Sequence, residues 1–174
     1  MFTYFRQRRE RKAKAADLYA KAVAQARLPV FYEDYHVPDS VDGRFEMISL
    51  HCYLLMRVLQ AAGDKKISQA LFDVFFVTMD RSLREMGVGD LGVPKHMKRM
   101  MQGFNGRANH YEAALRAGDI DDLKAAVTCN IFGTVENPDE NDVNALAGYI
   151  MECAKKTTAQ GDFAPIEKQE KKIA

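Results

Sequence analysis

Apolar residues along this chain recur every three or four positions and nowhere alternate with polar ones, so the pattern predicts helices and no strands. The first helix spans residues 4–27, where Ala, Arg and Lys dominate and Leu18, Ala22 and Ala26 recur at helical spacing beside Tyr19 and Val23. Leu28-Pro29 ends it. The connector over 28–42 carries two prolines and several rings, too apolar for a free linker, so it should lie on the domain through Phe31, Tyr32 and Tyr35. Asp42 is the expected cap of a second helix over 45–59. That helix has two apolar stripes, one through Phe45, Ile48, Cys52, Leu55 and Leu59, the other through Met47, Leu50, Leu54 and Val58. Apolar around most of its circumference, it should be central.

Gly63-Asp64 breaks the pattern, and a third helix, capped at or near Ser68, runs to about residue 86 with Leu71, Phe75, Met79 and Leu83 facing inward. Pro94 suits the first turn of a fourth helix reaching about residue 116. A short fifth covers about 120–132, and a sixth opens at Pro138-Asp139 with Val143, Leu146, Ala147 and Ile150 as its stripe. Beyond residue 158 the chain turns polar and lysine-rich, and a frayed tail is expected. The expected fold is all-α: one compact bundle of about six helices with a long apolar connector between the first two. The organisation reads as a basic N-terminal helix over 1–27, a helical domain over 28–158 and a flexible polar tail over 159–174.

A length of 174 residues suffices for one self-standing core. The formal charge of +1 gives no global pull toward nucleic acid, so DNA is not an expected partner and any attraction to polyanions must be local. Cys52, Cys129 and Cys153 lie far apart, and an odd count argues against a disulfide framework and for a reducing compartment.

Catalytic and metal motifs find little support, and no cofactor is expected. His36, His51, His96 and His110 lack a His, Cys or Glu four positions on, and His96 and Met100 read as two residues coating one helix. Gly87-x-Gly89-x-x-Gly92 has the spacing of a dinucleotide fingerprint, but that loop must be fed by a strand, and Asp90 sits where a phosphate should. These glycines read as a helix stop and a tight elbow. Asp73 and Asp80 share a helix face, while Asp80–Arg84 and Arg81–Glu85 are spaced to pair along it.

Two segments suit binding instead. Residues 2–14 carry Arg6, Arg8, Arg9, Arg11, Lys12 and Lys14 against the single acid Glu10, behind Phe2, Tyr4 and Phe5. That composition fits an anionic surface, lipid headgroups or ribosomal RNA. Met97, Met100, Met101 and Phe104 form a helical stripe flanked by Lys95, Lys98, Arg99 and Arg107, and methionines adapt to varied apolar partners.

Two runs, Tyr32-x-x-Tyr35-x-Val37-Pro38-Asp39-x-Val41-Asp42-Gly43-Arg44-Phe45 and Met79-Asp80-x-x-Leu83-Arg84-Glu85-Met86-Gly87-Val88-Gly89-Asp90, with Leu71-Phe72-Asp73 between them, resemble the ubiquinol–cytochrome c chaperone family of respiratory complex III assembly factors. The resemblance spans about 28–158, and a basic amino terminus followed directly by the domain looks like the bacterial branch. It implies an α-helical, non-enzymatic factor that binds newly made cytochrome b, with no catalytic residue and no metal. It implies a cytoplasmic protein, peripheral at the inner face of the bacterial membrane, with the mitochondrial matrix as the alternative. Candidate partners alongside cytochrome b are the ribosome, an anionic membrane surface and a small partner subunit. The client face proposed from these positions is Asp42, Arg44, Asp73, Asp80, Arg84, Glu85 and Asp90, joined by Met97, Met100 and Met101 of the methionine stripe. Two other readings stay open: a ribosome- or RNA-associated helical module, and a small-molecule enzyme using Asp73, Asp80 and Arg84.

Overall fold

The protein's structure, a computed structural model, describes residues 2–166, with side chains from residue 5 onward. Its helices are α1 (Phe2–Ala26), α2 (Pro29–Glu33), α3 (Val41–Ala61), α4 (Lys65–Glu85), α5 (Val93–Ala117), α6 (Ile120–Asn130) and α7 (Glu140–Lys156), and no strand occurs among the described residues. The six expected helices are present; α2 is a seventh, a five-residue turn of helix inside the connector with Pro29 at its start.

α3 is the axis. It packs against α1, α4, α5 and α7, and every residue from Glu46 to Met56 is buried, as two apolar stripes on one helix require. Its cap is not Asp42. Ser40, in extended conformation, accepts the Gly43 amide at 3.1 Å through its hydroxyl, so the helix starts four residues before the expected 45. Gly43 is there for space: a Cβ would fall 1.9 Å from the Pro38 carbonyl oxygen, backbone that cannot move aside cheaply. Ser68 is likewise no cap. It is buried within α4, whose start lies at Asp64, and takes a hydrogen bond from Gln60.

α1 lays Ala15, Leu18, Ala22 and Ala26 against α3 and α4. Small residues at three of those four positions let the helices approach closely. Phe75 of α4 meets the rings of Tyr19, Phe45, Phe76 and Phe104 at 5.0–6.2 Å, knitting α1, α3, α4 and α5 into one aromatic cluster. α6 joins α5 to α7 on the other side. Tyr53 donates to the Glu112 carboxylate at 2.7 Å and Arg57 donates to the same oxygen at 3.0 Å, tying α3 directly to α5.

The connector is anchored as its composition implies. Phe31 and Tyr35 are buried, and the half-buried Tyr32 hydroxyl donates to the Ala26 carbonyl at 2.7 Å. Phe31 sits against His51 and Tyr149, with ring centroids 5.6 and 5.2 Å away. His51 lies at the centre of an extended polar chain. Gln25 donates to the Tyr149 oxygen at 3.0 Å, Tyr149 donates to Nε2 of His51 at 2.8 Å, and Nδ1 of His51 donates to the Met47 carbonyl at 2.7 Å. Each partner has a defined role only if the imidazole is neutral.

The tail corrects the expectation of fraying from residue 158. Through residue 166 it is seated: Phe163 stacks edge-on to His51 at 5.0 Å, Ala164 is buried, and Lys21 donates to the Gln160 carbonyl at 2.7 Å. Thr158 and Asp162 close its turn with a 2.8 Å hydrogen bond. Two apolar residues in a polar stretch suffice to dock it, and a compositional reading averages them away. The lysine-rich end, 167–174, lies outside the described residues.

Candidate functional site

The elbow is built by the last turn of α4. Gly87 adopts φ +87°, a conformation that residues with a Cβ resist, and the Val88 and Gly87 amides donate back to the carbonyls of Leu83 and Arg84 at 3.0 Å. This is a left-handed helix stop, as the glycine spacing implies. Gly89 and Gly92 do not share the positive φ.

Arg84 holds the elbow's charges together. Its Nε donates to Asp80 at 2.8 Å, and its Nη1 pairs with Asp90 across the turn. Arg81 and Glu85, spaced to pair, make no ion pair with each other. The Arg84 cluster lies open to water: the arginine side chain is 47% exposed and Asp90 90% exposed. Solvent screening leaves such pairs with little net stability. Arg84→Ala is therefore expected to melt within the scatter of the wild type, so any change in partner binding by this variant reports on the surface and not on folding. A clearly lowered melting temperature makes the cluster a brace.

Beside the elbow, a cleft of about 730 Å³ opens between the start of α3, the end of α4, the middle of α5 and the loop after α6. Met79, Leu83 and Met86 line it from α4, Met100 from α5, and Phe45 from α3. Val41 and Met86, large apolar side chains, are 72% and 60% exposed at this cleft. Asp42 and Arg44 stand on its α3 edge, where Arg44 donates to Asp39 at 2.6 Å. That contact holds the Asp39 carboxyl below the usual carboxylate range.

At the cleft's base is a pair the sequence reading missed. Glu46 is buried, and Arg107 reaches over from α5 to form an ion pair with it. Burial lifts the Glu46 carboxyl above its ordinary range, and the Arg107 charge opposes that rise without cancelling it. The guanidinium also lies 6.0 Å over the Phe45 ring. One signal pointed to Glu46: it is the lone acid in the apolar run 45–59. Its partner lies sixty-one positions away, beyond any local pattern.

The structure thus brings together Asp42, Arg44 and Met100 with Met79, Leu83 and Met86, and sets Asp80, Arg84 and Asp90 at the neighbouring elbow. Glu85 is exposed on the last turn of α4. Met97 packs on the core and Met101 is exposed, so the methionine stripe of α5 is divided between interior and surface. Asp73 lines a different cleft, shared with α1, and accepts from Gln69 at 2.9 Å. On α1, Arg6 pairs with Glu10 at 3.6 Å and Lys14 with Asp64 at 3.9 Å, while Arg8, Arg11 and Lys12 line that second cleft and Arg9 is exposed. The side chains of Phe2 and Tyr4, part of the expected aromatic foothold, lie outside the described residues. Cys52 and Cys153 are buried, and burial pushes both thiols up, away from reactive thiolate.

A family model described as ubiquinol–cytochrome c chaperone matches residues 33–164. The chain is also similar to a solved structure, the crystal structure of the Cbp3 homolog from Brucella abortus, with 36% sequence identity, a TM-score of 0.76, and 95% of this chain and 96% of that chain covered. The comparison with curated proteins gave no match.

Proposed function

The chain belongs to the ubiquinol–cytochrome c chaperone family, and from that premise we propose that it binds newly synthesised cytochrome b and holds it for assembly into respiratory complex III. The observation that carries the reading is the methionine cleft beside the elbow. Cytochrome b is a set of hydrophobic helices, and a helper for it needs apolar contact that adapts to more than one side chain. Met79, Met86 and Met100 supply flexible, polarisable contact, and Phe45 and Leu83 supply shape. The Glu46–Arg107 pair at the base and Asp42, Arg44 and the Arg84 cluster at the rim offer polar partners to the ends of a client helix. Contact of this kind grips without chemistry and releases when the client finds its own subunits.

Among the described residues no helix is long and apolar enough to cross a membrane. In our reading the protein works as a peripheral factor at the inner face of the bacterial cytoplasmic membrane, where the client emerges. The ribosome and a small partner subunit are further partners this reading admits.

Deleting the protein is expected to lower spectroscopic cytochrome b and quinol–cytochrome c reductase activity while the other respiratory complexes persist. A deletion strain that respires with normal reductase activity overturns the reading.

A further inference from the structure

A second cleft, of about 840 Å³, runs between α1 and α4 on a face that the client reading does not use. Five cations line it: Arg8, Arg11 and Lys12 from α1, and Lys66 and Arg81 from α4. One acid, Asp73, shares it and is engaged by Gln69. None of the five cations forms an ion pair with a carboxylate among the described residues, although α1 elsewhere pairs its charges (Arg6 with Glu10, Lys21 with Asp17). Converging like charges repel one another, and a bundle gains nothing by leaving them unneutralised unless an anion joins them.

The floor of the cleft is not polar. Ala16, Ala70 and Val74 form it, and Val77 stands 61% exposed at its wall. Phe5, 59% exposed, precedes Arg8 by one turn on α1 and shares its face. Cations around apolar ground match a phospholipid, whose phosphate meets the charges while glycerol and the first acyl carbons meet the floor. Single-stranded RNA asks for a different surface, rings on which bases stack, and among the described residues no aromatic side chain lines this cleft.

We infer that the α1–α4 cleft is a docking site for the headgroup of an acidic phospholipid at the membrane surface. The volume accommodates a headgroup with its glycerol. Two of the five cations, Lys66 and Arg81, come from α4, so the site is a product of the fold and not of the basic amino-terminal run alone. Docking there leaves the methionine cleft free to hold its client.

The test is co-sedimentation of the full chain with vesicles of phosphatidylcholine alone and of phosphatidylcholine mixed with phosphatidylglycerol. Wild type should bind the mixed vesicles, and added salt should release it. Lys66→Glu/Arg81→Glu should weaken that binding by about tenfold or more, as loss of two surface cations near anionic lipid predicts. Arg8→Glu/Lys12→Glu, across the cleft, should do the same, so a folding defect in one pair does not decide the result. Lys95→Glu/Lys98→Glu on α5 makes the same change of charge elsewhere and should bind as wild type. Equal loss in the α5 variant reduces the effect to diffuse charge and overturns the site. Wild type that ignores phosphatidylglycerol vesicles overturns it too, and in favour of RNA if polyuridylate is then bound through Lys66 and Arg81.

Discussion

The protein is expected to lose stability steeply as pH falls from about 6.5 to about 4, and His51 is the cause. The ring is fully buried and neutral, fixed between the Met47 carbonyl and the Tyr149 hydroxyl, with Phe31 and Phe163 on either side. Burial pulls its pKa down from 6.5 to about 4, opposed only by the Met47 carbonyl. Below the ordinary value the unfolded chain takes up a proton that the folded one refuses. The contribution is thus complete above 6.5 and fades as pH falls toward 4. Its full size is about 3 kcal/mol, a large part of a typical domain's stability. Glu46 acts with the opposite sign: its raised carboxyl favours the folded state at low pH and loses that contribution as pH rises through its folded value. The net slope therefore carries His51 with Glu46 opposing it, and the lowered carboxyls of Asp39, Glu112 and Glu152 add to the loss at its acid end. Denaturant melts of wild type and His51→Gln across this range separate them. The variant should start less stable, because it disturbs the Gln25–Tyr149–His51 chain, and should show a much flatter acid limb. An unchanged acid limb in the variant assigns the transition to other groups.

The second large effect concerns client capture. Val41 and Met86 are exposed at the methionine cleft, so changing them removes little packing. Val41→Asp/Met86→Asp places two carboxylates where an apolar client segment would cover them. Covering a polar group without a partner costs on the order of 1–3 kcal/mol and a carboxylate more, so capture should fall about a hundredfold or further. The melting temperature should stay near that of wild type. Position 41 is in the first turn of α3, where a carboxylate is favourable at a helix start. Normal capture by this variant removes the cleft from the client site.

What the chain disclosed by itself follows from the range of each interaction. α3 was legible as the central helix because its two stripes are a local, periodic signal. Gly87 was legible as a helix stop because a left-handed residue calls for glycine, and the Asp80–Arg84 pair because four positions make one turn. Ser40 was passed over for Asp42 since both are good caps and only the approach of Gly43 to Pro38 decides where the helix begins. The seated tail was hidden because Phe163 and Ala164 find their partners on α1, α2 and α3, far away in sequence. Glu46–Arg107 and the gathering of Lys66 and Arg81 beside the α1 cations were hidden for the same reason. Both candidate binding surfaces are assembled by packing between helices, which no single segment encodes.

The most direct measurement places a photo-crosslinking amino acid at Met86 in the cleft and, as a control, at Lys155 on α7, and follows both proteins during synthesis of cytochrome b. The expected result is a cross-link from position 86 to newly made cytochrome b that disappears once complex III is assembled, and none from position 155. Labelling of cytochrome b from position 155 with none from 86, or equally from both, contradicts it.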